Sequence, residues 1–124
     1  VAFQKGLGAC HSLAHPLSTQ HGLHHGLANA LCLPAVAAFN EEAALQRVLH
    51  VAVLLGAAPT RGGCANALCA LRVRVGLPAG LGAVGITADH VDALSREAID
   101  DACHRLNPRA CSREDLAELY RASL

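Results

Sequence analysis

Apolar residues recur along most of the chain at the three- and four-residue spacing of amphipathic helices. The pattern predicts a first helix from Val1 to about Gln20, with a bend near Pro16, because proline has no amide hydrogen for the helical ladder. A turn at residues 22–26 follows. The next segment, residues 27–39, is apolar on nearly all sides and is therefore expected in the middle of the domain.

Polar residues mark the starts of three further predicted helices. Asn40, which two glutamates follow, predicts an N-cap, and Gly56 predicts the end of that helix. Thr60 predicts the next cap. Thr87 predicts the cap of a helix that runs to Leu106, just before an Asn-Pro pair that a helix does not continue through.

The rest of the chain completes an all-helical pattern. The glycine-rich residues 76–85 predict a loop. Ser112 and Asp115 have the spacing of a capping box before a last short helix. No segment alternates as a strand does, so the sequence predicts one all-α domain, a bundle of five to six helices over residues 1–124.

The composition agrees with this class and excludes others. Alanine and leucine contribute 25 and 20 of the 124 residues, and both favour helices. Ten basic residues balance ten acidic ones, which removes the positive charge that nucleic-acid binding needs. Runs without charge or strong polarity, such as residues 51–58, are too short to cross a bilayer. Neither nucleic acid nor a membrane is an expected partner.

Six cysteines raise the question of disulfides or a zinc site. Cys64 and Cys69 lack the two-residue gap of redox and zinc motifs, and we expect no apolar leader. We therefore expect reduced, mostly buried thiols in a cytoplasmic protein.

Histidines are concentrated near the start of the chain, where five of the eight fall between residues 11 and 25. His11 and His15 share one face of the predicted helix, and His24 and His25 begin the following segment, which could fold back over it. Neutral imidazole is a good ligand for zinc or divalent iron. The spacing alone leaves two interpretations open: a metal site, or histidines with ordinary structural or surface roles. The remaining histidines are expected to be structural or solvent-facing: His50, His90 and His104.

At this point a family resemblance emerges. Residues 6–17, GLGACHSLAHPL, and residues 25–30, HGLANA, resemble the second signature of the iron-containing (group III) alcohol dehydrogenases, roughly G-x-x-H-x-x-x-H-P-L and then H-G-x-x-N/A-A. The Leu-Pro and Phe-Asn pairs that follow, the Ala98-x-x-Asp101 pair and the Asn-Pro-Arg at residues 107–109 also fit. The resemblance covers essentially the whole chain and implies the helical C-terminal domain of a dehydroquinate synthase-like fold.

The resemblance implies roles for individual residues. His11 and His25 occupy the positions of two metal ligands. His15 lies where the family places a residue between metal, substrate and nicotinamide, which implies a catalytic proton relay and a cofactor contact. Cys103 resembles a substrate-pocket position, or it is simply a buried thiol. His24 is expected to do no more than support its neighbour.

The same resemblance implies that part of the enzyme lies elsewhere. The family's other metal ligands, an Asp and a His, come from an earlier segment, as does the dinucleotide-binding half, and no Gly-rich strand-turn-helix motif occurs here. We expect residues 1–124 to be the C-terminal helical metal-binding domain, with the N-terminal dinucleotide-binding domain absent. The expected cofactors are a divalent metal, Fe²⁺ first and Zn²⁺ second, and NAD(P) bound through the missing domain.

The implied reaction is hydride transfer between a small alcohol and its aldehyde, in a homo-oligomeric enzyme of which this chain alone is inactive. Two alternatives stay open. The parent protein could resemble a maleylacetate reductase or a glycerol dehydrogenase. The chain could also be a stand-alone helical module without activity that self-associates.

Overall fold

The computed structural model describes residues 6–124, and this part of the chain contains no β-strand. It contains five α-helices joined by turns and three short 3₁₀ helices. The α-helices are α1 (Ala9–His21), α2 (His25–Leu54), α3 (Gly63–Arg74), α4 (Val91–Asp100) and α5 (Arg113–Ala122); the 3₁₀ helices are Leu81–Val84, Ala88–His90 and Ala102–Leu106. The predicted all-α class is confirmed.

Helix α1 lies at the centre of the fold, in contact with α2, α4, α5 and the 3₁₀ helix Ala102–Leu106. Its Leu13 and Leu17 are fully buried in the main core. Each such side chain contributes about 1.5–3 kcal/mol relative to an exposed one. Tyr120 of α5, also fully buried, donates its hydroxyl to the Leu13 carbonyl at 2.7 Å. The core therefore fixes the helix that carries His11 and His15.

The predicted turn between the first two helices is confirmed. Gly22 has a left-handed φ of 66°, a backbone conformation that is strained for residues with a side chain. Its amide donates a hydrogen bond to the Ser18 carbonyl at 3.1 Å. His24 then caps α2, because its Nδ1 accepts a hydrogen bond from the Gly26 amide at 3.2 Å. As a result α2 begins at His25 and packs against α1.

The start of α1 differs from the prediction of a helix from Val1. Residues 1–5 lie outside the described part of the chain. Gly6, with φ at 81°, and Gly8 are not helical, and α1 begins at Ala9. The Ala9 amide donates to Oδ1 of Asn107 at 3.3 Å, so a residue distant in sequence satisfies this helix end.

The predicted helix start at Asn40 is wrong, because α2 continues past it to Leu54. The chain leaves helical geometry at Ala44 instead, with φ −139° and ψ 37°. Asn40 accepts a hydrogen bond from Nδ2 of Asn107 at 2.7 Å. Its side chain thus joins two parts of the fold rather than capping a helix.

Thr60 is likewise not the N-cap of the next helix, which begins at Gly63 after an N-cap at Gly62. The Gly62 amide donates to Oε1 of Glu41 at 2.9 Å. Glu41 is only 6% exposed, and a buried carboxylate needs such a partner. A carboxylate from α2 therefore replaces the predicted cap.

The long helix predicted over residues 87–106 is broken at Asp101. Thr87 caps only the short turn Ala88–His90, and α4 ends at Asp100. Asp101 has extended backbone angles, φ −71° and ψ 128°, and its carboxylate accepts a hydrogen bond from the Cys103 amide at 2.7 Å. This break sets the Asp101 carboxylate against α1.

The remaining predictions largely agree with the structure. Residues 76–85 form a loop apart from the turn Leu81–Val84, where Leu81 is fully buried. The capping box is confirmed, since Ser112 and Asp115 each accept a hydrogen bond from the other's amide. Within residues 6–124 no helix has the length and apolar character needed to cross a bilayer.

Candidate functional site

Three histidines from the cluster in the sequence also lie together in the structure. The ring centroids are 6.0 Å apart for His11 and His15, 5.2 Å for His11 and His25, and 5.4 Å for His15 and His25. His11 and His15 project from successive turns of α1. His25, the first residue of α2, is brought beside them by the turn at Gly22. His24 caps α2 instead.

His11 and His25 line an open cleft of about 600 Å³. His25 is exposed and His11 is half-buried, so a small molecule or an ion reaches both rings. The other lining residues supply a mainly apolar wall: Cys10, Asn29, Ala30 and Leu33. A largely apolar cleft with a few polar groups is typical of small-molecule sites.

Both rings of this cleft offer lone pairs. Burial lowers the pKa of His11, and the neighbouring His25 and His15 lower it further, although the charge of Asp101 opposes this shift. His11 is therefore neutral at pH 7. Nε2 of His25 lies 3.1 Å from the amide nitrogen of Asn29, which donates a hydrogen bond to the lone pair of this ring nitrogen, so a ligand at Nε2 would replace Asn29.

The separation of His11 and His25 also fits a shared divalent ion. For metal–nitrogen bonds of about 2.0–2.1 Å, two imidazoles on one ion have centroids roughly 5–6 Å apart. The observed 5.2 Å falls in this range, and imidazole suits both Fe²⁺ and Zn²⁺. A catalytic site needs at least one further protein ligand beside these two.

His15 differs from the other two because one of its ring nitrogens contacts a carboxylate. Its Nδ1 lies 2.6 Å from Oδ2 of Asp101. Oδ1 of Asp101 accepts hydrogen bonds from Oγ of Ser12 at 2.9 Å and from the Cys103 amide at 2.7 Å. Burial raises the pKa of Asp101, but these hydrogen bonds, that of His15 foremost, outweigh it and hold the pKa well below its usual range. Asp101 is therefore a carboxylate at neutral pH.

Cys103 lies beside the same carboxylate and is half-buried. Burial, and then the hydrogen bond to Asp101 and its negative charge, raise the pKa of the Cys103 thiol to about 11. Possible ligand atoms of His15, Asp101 and Cys103 lie within 4.8 Å of one another, the one such trio in residues 6–124. Since the thiol is protonated and the carboxylate already accepts several hydrogen bonds, we interpret this trio as a hydrogen-bonded network.

Sequence reasoning missed two members of this network. Asp101 entered only as part of the family resemblance, without a role, and Ser12 was not singled out. The available signal for Ser12 was its position three residues before His15, on nearly the same helix face. Nothing in the helical periodicity indicated the chain break that places Asp101 there.

The other histidines have the ordinary roles that were expected. His50 is exposed. His90 makes hydrogen bonds with Thr87, and His104 is buried with Nε2 2.9 Å from the Ile99 carbonyl.

Comparison with known proteins places this helical domain in one family. The model described as "Fe-containing alcohol dehydrogenase family, C-terminal" matches residues 1–124. The 4-hydroxybutyrate dehydrogenase of Cupriavidus necator is 37% identical, over 100% of this chain and 35% of that protein. Maleylacetate reductase 2 of Cupriavidus pinatubonensis is 41% identical, over 94% of this chain and 32% of that protein.

A solved structure supports the same family assignment. The crystal structure of a 1,3-propanediol oxidoreductase superposes with a TM-score of 0.89 at 27% identity, covering 95% of this chain and 33% of that one. The chain belongs to the iron-containing alcohol dehydrogenase family and corresponds to its C-terminal part, as the motif resemblance indicated. It spans about a third of the length of the proteins it matches.

Proposed function

We propose that this chain is the C-terminal helical, metal-binding domain of an NAD(P)-dependent alcohol dehydrogenase that interconverts a small alcohol and its aldehyde. The observation that carries the proposal is the grouping of the motif histidines His11, His15 and His25 within 6.0 Å of one another, in a chain that matches the family throughout. The relatives are about three times as long, which supports an N-terminal dinucleotide-binding domain in the whole protein.

His11 and His25 are the proposed metal ligands of this domain. The lowered pKa of His11 and the 5.2 Å separation of the two ring centroids support the assignment. Fe²⁺ is the proposed ion and Zn²⁺ the alternative, with the remaining ligands supplied by the N-terminal domain. When bound, the ion would act as a Lewis acid that lowers the pKa of the substrate hydroxyl.

His15 is the proposed proton-relay residue and a contact of the nicotinamide. Its side chain is 38% exposed, and Nε2 has no hydrogen-bond partner within residues 6–124. This nitrogen takes up the proton that the alcohol loses and returns it when the aldehyde is reduced. Cys103, as a neutral thiol beside His15, is proposed to line the substrate pocket.

The substrate class is a small alcohol or aldehyde, for which the cleft offers an apolar wall next to the imidazoles. NAD(P), held by the proposed N-terminal domain, would supply or accept the hydride. We propose a homo-oligomer in the cytoplasm, where the six cysteines, all free thiols, stay reduced.

A maleylacetate reductase-like or glycerol dehydrogenase-like activity is the alternative. The 41% identity to maleylacetate reductase 2 supports the first of these. A reductase that works without a metal has no use for the His11–His25 pair, so metal content separates it from the alcohol dehydrogenase. The other alternative is a stand-alone helical module that has no catalytic activity and self-associates.

Metal analysis of the whole protein that carries this chain tests the proposal. His11→Ala and His25→Ala should each abolish metal retention, whereas His15→Ala should retain metal and lose turnover. The control, His50→Ala, changes an exposed histidine and should leave both unaffected. Full metal retention in the first two variants would overturn the ligand assignment, and equal metal loss in all three would overturn the role of His15.

A further inference from the structure

We propose that Asp101 is a positioning residue that holds His15 in the tautomer with its proton on Nδ1, so that Nε2 keeps a free lone pair. The inference rests on the proposed function, because the lone pair matters for the proton relay assigned to His15. The tautomer itself is a property of this chain and is measurable without metal, cofactor or substrate.

His15 and Asp101 are in direct contact. Nδ1 of His15 and Oδ2 of Asp101 are 2.6 Å apart, the short distance of a charge-assisted hydrogen bond. Hydrogen bonds hold the pKa of Asp101 low, so its carboxylate is ionised and can only accept. His15 must therefore donate from Nδ1, and in the neutral ring the proton is then absent from Nε2.

The Asp101 carboxylate is held in place by hydrogen bonds to both of its oxygens. Its other oxygen, Oδ1, accepts from the Cys103 amide at 2.7 Å and from Oγ of Ser12 at 2.9 Å. Oγ of Ser12 in turn accepts from the His104 amide at 2.8 Å, so its hydroxyl hydrogen is directed to Asp101. Hydrogen bonds from Ser12 and His15 of α1 and from Cys103 of the Ala102–Leu106 turn thus hold both oxygens of Asp101. The carboxylate cannot rotate its Oδ2 away from His15.

Replacing the Asp101 carboxylate with an amide should reverse the tautomer of His15. In Asp101→Asn, the amide oxygen should stay where Oδ1 lies, because the Cys103 amide and the Ser12 hydroxyl both donate there. The amide NH₂ then faces Nδ1 of His15, which has to become an acceptor. The proton should move to Nε2, which removes the lone pair that the relay uses.

NMR of the chain labelled with ¹⁵N-histidine tests this directly. At a pH where imidazole is neutral, protonated and unprotonated ring nitrogens have different ¹⁵N shifts, and His15→Gln identifies the His15 signals by their loss. The wild type should show His15 protonated at Nδ1, and Asp101→Asn should show it protonated at Nε2. The control, Asp100→Asn, removes the same charge from the neighbouring exposed position and should leave the tautomer unchanged.

The outcomes separate this inference from the proposed function. A wild-type His15 protonated at Nε2 would overturn the inference even if Asp101→Asn fails to fold, and an unchanged tautomer in a folded Asp101→Asn would also overturn it. In the whole enzyme, Asp101→Asn should retain metal while kcat falls about 10²-fold or more, the lower end of what general acid–base catalysis contributes. If His11→Ala and His25→Ala retain metal, the ligand assignment fails while the tautomer result stands.

Discussion

Replacing Ser12 with alanine should destabilise the chain far more than the loss of one hydroxyl suggests. Ser12 is fully buried, and its Oγ accepts from the His104 amide and donates to Oδ1 of Asp101. Ser12→Ala loses a hydrogen bond to a charged group, worth about 1.5–3 kcal/mol, and leaves a buried amide without its acceptor, which costs about 1–3 kcal/mol. Because one hydroxyl makes both bonds the contributions do not simply add, and we expect a loss of about 3 kcal/mol.

The matched control is Ser95→Ala. Ser95 is buried to the same degree, but its Oγ donates only to the Asp92 carbonyl of the same helical segment, at 3.0 Å. Alanine also has the higher helix propensity, which offsets part of the lost bond. The expected loss is below about 1 kcal/mol.

Urea unfolding followed by far-ultraviolet circular dichroism, at low protein concentration, measures both free energies. The m-values of the two variants should equal that of the wild type, since neither substitution changes the surface that unfolding exposes. A Ser12→Ala loss within about 0.5 kcal/mol of the Ser95→Ala loss would refute the reasoning. It would mean that the two hydrogen bonds of Ser12 add no more to the stability of the fold than the single bond of Ser95.

Three further predictions concern pH, activity and association. Because the pKa of Asp101 is lower in the folded than in the unfolded chain, its carboxylate stabilises the fold fully at pH values above the unfolded pKa of about 4. This stabilisation is lost as the pH falls below that value. In urea unfolding at decreasing pH, the free energy of unfolding of the wild type should therefore approach that of Asp101→Asn. A difference between the two free energies that stays constant with pH would contradict this. The isolated chain should bind a divalent metal only weakly, and stoichiometric metal after dialysis against a chelator would contradict this. It should also show no NAD(P)-dependent alcohol oxidation, and measurable turnover would contradict that. It should also self-associate, because Val53, Leu54 and Val73 are 50%, 73% and 69% exposed and the net charge is zero; a monomer in sedimentation at high concentration would contradict this.

The main core could be predicted from the sequence because it follows helical periodicity. Leu94 and Ala98 of α4, four residues apart, are both fully buried, as the pattern requires. The helix starts were less predictable. Asn40 has the chemistry of a cap, but the same amide group serves equally well in a pair with Asn107, 67 residues away.

The histidine cluster was within reach of sequence reasoning, since a four-residue spacing and a glycine turn suffice to bring the rings together. The network behind His15 was not. Ala98 and Ala102 continue the helical period across Asp101, so the pattern gave no reason to break the helix there. The break is fixed by bonds from Asp101 to Ser12 and His15, which lie 89 and 86 residues away.

The central claim is that His11 and His25 bind the metal while His15 stays bound to Asp101. A crystal structure of the whole, metal-loaded protein, with anomalous diffraction measured at the metal's absorption edge, tests it most directly. We expect one peak bonded to a nitrogen of His11 and a nitrogen of His25, with Nδ1 of His15 still hydrogen-bonded to the Asp101 carboxylate. A peak bonded to His15, Asp101 and Cys103, with His11 and His25 unliganded, would contradict it.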